Sequence, residues 1–230
     1  MAVTRARGGW LGAPVIISPP DLERKFSEAL ADIEREHGPH GVGDYFEFGV
    51  YAGDSLACMH RALGTAGLDH VRLFGFDSFQ GLPPHANEED GGFWLPGKFS
   101  ADIEFTRANL RRQGVDLGRV TLVPGWFEET LRPDLRARLG ADRASVVMID
   151  CDLYSSARAA LAFVEPLIDD AWVFFDDWHA FEQRAGYESD EPRGEARALE
   201  ELLRATPDLH VVADLGSYGQ SSRVLRLRRG

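Results

Sequence analysis

Sulfur is sparse in this chain, with two cysteines and three methionines in 230 residues. Cys58 and Cys151 are too few for a disulfide framework or a cysteine-based zinc site. Long apolar runs are missing too, and none approaches the roughly 20 residues needed to cross a bilayer. Arg5 and Arg7 come before Trp10 with no apolar run among them, so no signal peptide is expected. Basic residues are in the minority, 25 against 37 acids, and the net charge of −12 disfavours a nucleic-acid backbone as partner. The G-x-G-x-x-G of a dinucleotide-binding turn is absent. There is no internal repeat and no linker. What remains is the composition of a cytoplasmic globular enzyme or binding protein, long enough for one domain with a sizeable core.

The strongest pattern is a pair of apolar strands that end in acids. One runs from Val146 to Asp152 and the other from Trp172 to Asp177. About twenty residues separate them, enough for one crossover helix. Parallel strands joined in that way end on the same side of the sheet, where open α/β sheets bind ligands. Asp150, Asp176 and Asp177 are thereby expected at one point. Three carboxylates held together repel one another, and a hard divalent cation such as Mg²⁺ removes the conflict.

The organisation around that pair is βαβ. Residues 1–40 are expected to hold an N-terminal segment and a helix, and residues 41–230 the main domain. Ser18-Pro19-Pro20-Asp21 has the spacing of a capped helix start, and Leu22, Phe26, Ala29, Leu30 and Ile33 form a stripe running toward Gly38. This helix is expected over the site or against a second subunit. Strands are predicted at 44–48, 71–76, 119–123, 209–214 and 222–228, and helices at 54–64, 100–113, 156–166 and 194–205. Residues 78–98, rich in glycine and proline, form a long loop expected to be mobile and to close over a ligand, with Phe93 and Trp94 as its apolar cargo.

Several further residues carry candidate chemistry, each beside a plain structural role. Glu47 to Ser55 is a strand end, a turn with Gly49 and Gly53, and a helix start. The glycines let backbone approach a ligand, and an acid at that turn suits amines or hydroxyls better than a diphosphate; the plain alternative is an ordinary strand–helix turn. Asp77 ends the second strand, where an acid can accept both hydroxyls of a ribose, the plain alternative being that Asp77 or Ser78 caps a helix. Gly125 and Trp126 follow the third strand and could face a purine or simply cover the core. Asp152 could act as a general base or cap the helix entered through Ser155 and Ser156. His85 and His179 are rival bases in loops, or merely exposed histidines. Cys151, between two acids, reads as a packing residue.

Taken together these segments resemble the macrocin O-methyltransferase family of metal-dependent class I S-adenosylmethionine enzymes. The resemblance covers roughly 44–200. It rests on Tyr45 to Ser55, Phe76-Asp77-Ser78-Phe79-Gln80-Gly81-Leu82-Pro83, Val123 to Phe127, Asp150 to Ser156, Asp176-Asp177, and Gly194 to Ala198. It implies a Rossmann-like seven-stranded sheet, mostly parallel with a final antiparallel strand and helices on both faces. It also implies methyl transfer from S-adenosylmethionine to a hydroxyl of a small molecule, on a sugar moiety of a natural product such as an antibiotic. Glu47, Gly49, Val50, Tyr51, Gly53, Asp54 and Ser55 would hold the methionine part of the cofactor. Asp77 and Ser78 would meet the ribose, Gly125 and Trp126 the adenine, and Asp150 would border both cofactor and metal. Asp150, Asp176 and Asp177 would bind Mg²⁺, which chelates two adjacent acceptor oxygens, and Asp152 would be the base. Homodimers or larger homo-oligomers are expected.

The chain departs from that pattern in places. Trp178 follows the paired acids where tyrosine is usual, and Asp169-Asp170 stands where paired glycines are usual. The N-terminal segment is short. These differences bear on the acceptor, since lids and loops shape its pocket. A nicotinamide dehydrogenase, a metal-dependent hydrolase and a non-catalytic nucleotide- or metal-binding domain are the competing readings. Glu47 and the missing third glycine stand against the first of these.

Overall fold

The computed structural model describes residues 18–89, 92, 94–179 and 193–230. Residues 1–17, with Arg5, Arg7 and Trp10, and Asp90, Gly91 and Phe93 of the long loop lie outside the described residues.

In chain order the elements are α1 (Pro19–His37), β1 (Asp44–Phe48), α2 (Asp54–Ala66), β2 (Leu73–Asp77), α3 (Ile103–Arg112), β3 (Val120–Pro124), α4 (Phe127–Thr130), α5 (Pro133–Leu139), β4 (Ala144–Ile149), α6 (Tyr154–Val164), β5 (Asp170–Phe175), α7 (Gly194–Ala205), β6 (Leu209–Gly216) and β7 (Arg223–Arg229). They form a 7-stranded sheet in the order β3-β2-β1-β4-β5-β7-β6. The first five strands in that order are mutually parallel, and β7 runs antiparallel to both β5 and β6. This is the Rossmann-like class I arrangement expected, with the reversal of strand order falling between β1 and β4.

Alternation along the strands divides the core into two faces. Tyr45, Val146, Met148, Trp172 and Phe174 meet α1 and α2 on one side. Phe46, Phe48, Phe76, Val147, Ile149, Val173 and Phe175 meet α6 and α7 on the other. Phe46 lies 5.0 Å from Phe74, and Phe48 lies 4.9 Å from Phe76, both as stacked rings. On the first face Phe26 of α1 sits 4.7 Å from Phe174. The stripe Leu22, Phe26, Ala29, Leu30 and Ile33 is wholly buried, so α1 is part of the core as well as a neighbour of the site.

Two local expectations change. Ser18 does not cap α1 through its side chain; its hydroxyl donates to Asp21 Oδ2 at 2.7 Å. Pro19 and Pro20 carry no N–H, and the Asp21 N–H already reaches the Ser18 carbonyl at 3.1 Å. The short helices α4 and α5 were not expected at all.

At the edge opposite the strand ends that carry the acids, an ion-pair network fastens α1 to the sheet. Arg226 bonds Asp170, Asp32 and Glu36, each at 2.7 Å, and His37 Nε2 lies 2.8 Å from Asp170. Among the described residues no helix is long and apolar enough to cross a membrane.

Candidate active site

The carboxyl ends of β1, β2, β3, β4 and β5 open into one cavity of about 590 Å³. Asp150, Asp176 and Asp177 stand on its floor, with one oxygen from each lying within 4.8 Å of the other two. Main-chain bonds carried past the strand ends place them there: Asp150 N–H reaches Phe48 O at 2.9 Å, and Asp176 N–H reaches Ile149 O at 3.0 Å. Their oxygens touch the cavity surface but sit deep. Burial, then neighbouring Asp176 and Asp152, raises the Asp150 carboxyl well above its ordinary range. Burial, then Asp152 and Glu195, does the same to Asp177, and burial also raises Asp176. Hard oxygen donors, close spacing and mutual repulsion together fit a hard divalent cation. Tyr218, from the turn between β6 and β7, donates to Asp176 Oδ1 at 2.7 Å and orients it.

Asp152 lines the same cavity and has φ of +65°, a left-handed conformation that aspartate adopts more readily than most residues other than glycine. It is in hydrogen-bonding contact with Asp177, and burial pushes its carboxyl up to about 7. His85 lines the cavity near the acidic rim, 3.8 Å from both Glu89 and Glu128. His179 does not line it; its N–H is bonded to Ser221 O at 2.8 Å.

The glycine turn forms a second wall. Gly49, Val50, Tyr51, Asp54 and Ser55 line the cavity, while Gly53 and Glu47 do not. Glu47 faces α2, as the alternation of β1 requires, and is fully buried. It accepts from Tyr45 Oη at 2.6 Å and Ser55 Oγ at 2.7 Å. Burial pushes its carboxyl up to about 8, against the pull of those two donors. It therefore meets the cavity only through Ser55. Gly49 is required for a reason other than ligand approach: at φ +92°, a Cβ there would lie 1.7 Å from the Asp150 carbonyl oxygen. Gly53 has φ +84°, and a Cβ would crowd Leu110 of α3.

Asp77 lies between the two walls with both oxygens engaged. Oδ2 accepts the Val50 and Tyr51 N–H groups, each at 2.8 Å, and Oδ1 accepts the Phe79 N–H at 2.6 Å. Burial raises its pKa, and the three amides offset part of the rise. Its first role is to set the glycine turn, with lone pairs left over on the cavity side. Ser78 lines the cavity beside it and spends its hydroxyl on Gly81 O at 2.9 Å. Gly125 and Trp126 close the far end, where the Gly125 N–H reaches Asp77 O at 2.9 Å and Trp126 opens α4.

Supporting residues came from elements whose sequence offered no chemical signal. Thr106 and Asn109 of α3 hold the outside of the glycine turn, through Thr106 Oγ1 to Tyr51 O at 2.6 Å and Asn109 Nδ2 to Ala52 O at 2.8 Å. Their helical spacing looks like an ordinary inner face. Described residues of the loop 78–98 form another wall. Leu82, Ala86 and Trp94 cluster with Leu153, just past Asp152. Its neck is closed by Leu82 N–H to Lys98 O at 2.8 Å and Gly97 N–H to Leu82 O at 2.9 Å.

Comparison with known proteins bears on this arrangement. The profile of the family described as macrocin-O-methyltransferase (TylF) matches residues 22–197. The 8-demethyl-8-(2,3-dimethoxy-alpha-L-rhamnosyl)-tetracenomycin-C 4'-O-methyltransferase of Streptomyces olivaceus is 33% identical over 143 residues, 59% of this chain and 53% of that one. Demethyldecarbamoylnovobiocin O-methyltransferase of Streptomyces niveus is 26% identical over 153 residues, 64% of this chain and 56% of that one. The chain thus spans little more than half the length of the curated relatives it matches. The solved O-methyltransferase NovP superimposes with a TM-score of 0.66 at 21% identity, over 91% of this chain and 80% of that one. A calicheamicin methyltransferase superimposes with a TM-score of 0.60 at 20% identity, over 98% of both chains. These structures establish the fold. With a family match running from α1 into α7, across both walls of the cavity and its acidic floor, the chain belongs to the macrocin-O-methyltransferase family.

Proposed function

We propose that this protein transfers a methyl group from S-adenosylmethionine to a hydroxyl of a small molecule, on a sugar moiety of a natural product, with Mg²⁺ bound at Asp150, Asp176 and Asp177. The observation that carries the reading is the single cavity. It brings those three acids, the glycine turn, Asp77 and Trp126 to one sheet edge. Family membership favours methyl transfer over hydride transfer or hydrolysis.

In this reading Asp54 and Ser55 receive the cofactor's ammonium group, with Glu47 behind Ser55 completing the acidic end. Asp77 offers its remaining lone pairs to the ribose, and Trp126 provides an aromatic face for the adenine. Asp150, Asp176 and Asp177 would hold Mg²⁺, which would supply Lewis acidity that lowers the acceptor hydroxyl's pKa. Asp152 takes the hydroxyl proton as the oxygen–methyl bond forms and the sulfur–methyl bond breaks, leaving S-adenosylhomocysteine. Leu82, Trp94 and Phe99 supply apolar surface that excludes water from the acceptor. Assembly into a homodimer or larger homo-oligomer is part of the same proposal.

The test is transfer of labelled methyl from S-adenosylmethionine to a panel of glycosides and phenols, with Mg²⁺ and after chelation. Label should enter a hydroxyl only with metal present, while S-adenosylhomocysteine binds in both conditions. Binding of NAD⁺ but not of S-adenosylhomocysteine would overturn the reading, as would full turnover after exhaustive metal removal.

A further inference from the structure

Helix α7 begins with an acid that the cavity does not account for. Glu195 is fully buried and lines no part of the cavity. Its Oε2 accepts the Asp177 main-chain N–H at 3.0 Å, and the Cys151 amide is turned toward the same carboxylate. Its Oε1 has no hydrogen-bond partner among the described residues. Asp177 ends the acid pair after β5, and Cys151 directly follows Asp150 at the end of β4. Glu195 therefore sits behind two strand ends whose acids project forward into the cavity.

As a stability device this is a poor choice. A carboxylate removed from water is costly, and the acids Asp176 and Asp152 repel it. An acid in the first turn of a helix gains from the helix dipole, but an exposed one would gain without that penalty. What the position does provide is a fixed acceptor for one particular peptide group. We propose that Glu195 is a positioning residue of the metal site. By holding the Asp177 N–H it fixes the main chain from which Asp177 projects, and keeps the end of β5 in register with the end of β4. This rests on the metal reading given above. The sequence pattern had marked Gly194 to Ala198 without a task, and Glu195 gives that segment one.

Two variants separate the reach of the acceptor from the acid group. Glu195→Gln keeps an oxygen that can accept from Asp177 and removes the acid. Glu195→Asp keeps the acid and withdraws the acceptor by one methylene. Mn²⁺ uptake by the full chain, followed by the electron paramagnetic resonance of free Mn²⁺, is the readout. The Gln variant should stay within about threefold of wild type, and the Asp variant should lose about tenfold or more, the usual scale for groups behind a metal ligand. Both should bind S-adenosylhomocysteine as wild type does. In turnover the Asp variant should need more metal, with kcat recovered at saturation. Wild-type affinity in the Asp variant would overturn the proposal, and so would a loss in the Gln variant as large as in the Asp variant. No Mn²⁺ uptake by the wild-type protein would instead remove the metal reading itself.

Discussion

Tyr218 holds Asp176 from behind: its phenolic hydroxyl donates to Asp176 Oδ1 at 2.7 Å. Burial, with Asp176 and Asp150 nearby, raises the phenol well above its ordinary pKa, so it stays a donor. Its ring lies 5.9 Å from Phe174, which fixes its height above the sheet. Tyr218→Phe keeps the packing and removes the donor. Mn²⁺ affinity should fall by roughly 10-fold or more, with little change in S-adenosylhomocysteine affinity. Unchanged metal binding in that variant would show that Asp176 needs no such support.

Asp77 should matter to both stability and cofactor binding, because the turn it holds is the wall proposed for the cofactor. Asp77→Ala releases three amides from a carboxylate, and hydrogen bonds to charged groups are each worth about 1.5–3 kcal/mol. Melting temperature and S-adenosylhomocysteine affinity, measured by calorimetry, should fall together. A lower melting temperature with unaltered affinity would confine Asp77 to the fold.

Asp152 can be tested with little backbone penalty. Asparagine, like aspartate, visits the left-handed conformation, so Asp152→Asn should fold as wild type does at φ +65°. It should bind metal and cofactor and lose roughly 10²-fold or more in kcat. Normal turnover in this variant together with slow turnover in His85→Ala would move the proton-accepting role to His85.

The buried acids predict how the metal-free protein responds to pH. Their folded pKa values are raised, Asp152 to about 7 and Glu47 to about 8, with Asp150, Asp176 and Asp177 also shifted upward. For such groups the native state holds protons that the unfolded chain releases. Their stabilising contribution is complete below the ordinary carboxylate range of about 4, and is lost as pH rises through the folded values. The melting temperature of chelated protein should therefore fall between about pH 5 and about pH 8.5. Added Mg²⁺ should raise it most at the upper end, where protons no longer compete for the carboxylates. A level melting temperature across that window would contradict the assignment.

The sheet and the acid floor were legible because they depend on patterns a chain cannot hide. Apolar strands ending in Asp150 and Asp176-Asp177, with one helix between, leave a parallel crossover little choice of where those acids finish. Strand β2 begins at Leu73, later than the apolar run at Val71 suggests, because pairing with β1 starts at Leu73 against Tyr45. Helices α4 and α5 have 4 and 7 residues, too few turns to show a stripe. Glu195 and Tyr218 reach Asp177 and Asp176 from 18 and 42 residues away, through topology and not through spacing. Glu47 and Asp77 were visible as acids near the turn. Which of their oxygens meet protein groups depends on the direction of each strand's side chains and on the amides of a turn that passes through Tyr51 at φ +48°.

The closed neck of the loop 78–98 has a consequence for engineering. Leu82, Gly97 and Lys98 tie the two stems together through main-chain bonds, which a different sequence between them can keep. A graft at Leu82 and Lys98 would therefore leave the strand ends in place. It would also have to preserve what the segment supports, since Leu82, Ala86 and Trp94 pack on Leu153 and Glu89 accepts the Ser155 N–H at the start of α6. The segment is exchangeable at its stems and keyed at its tip, and a graft that carries those contacts along should leave Asp152 where it is.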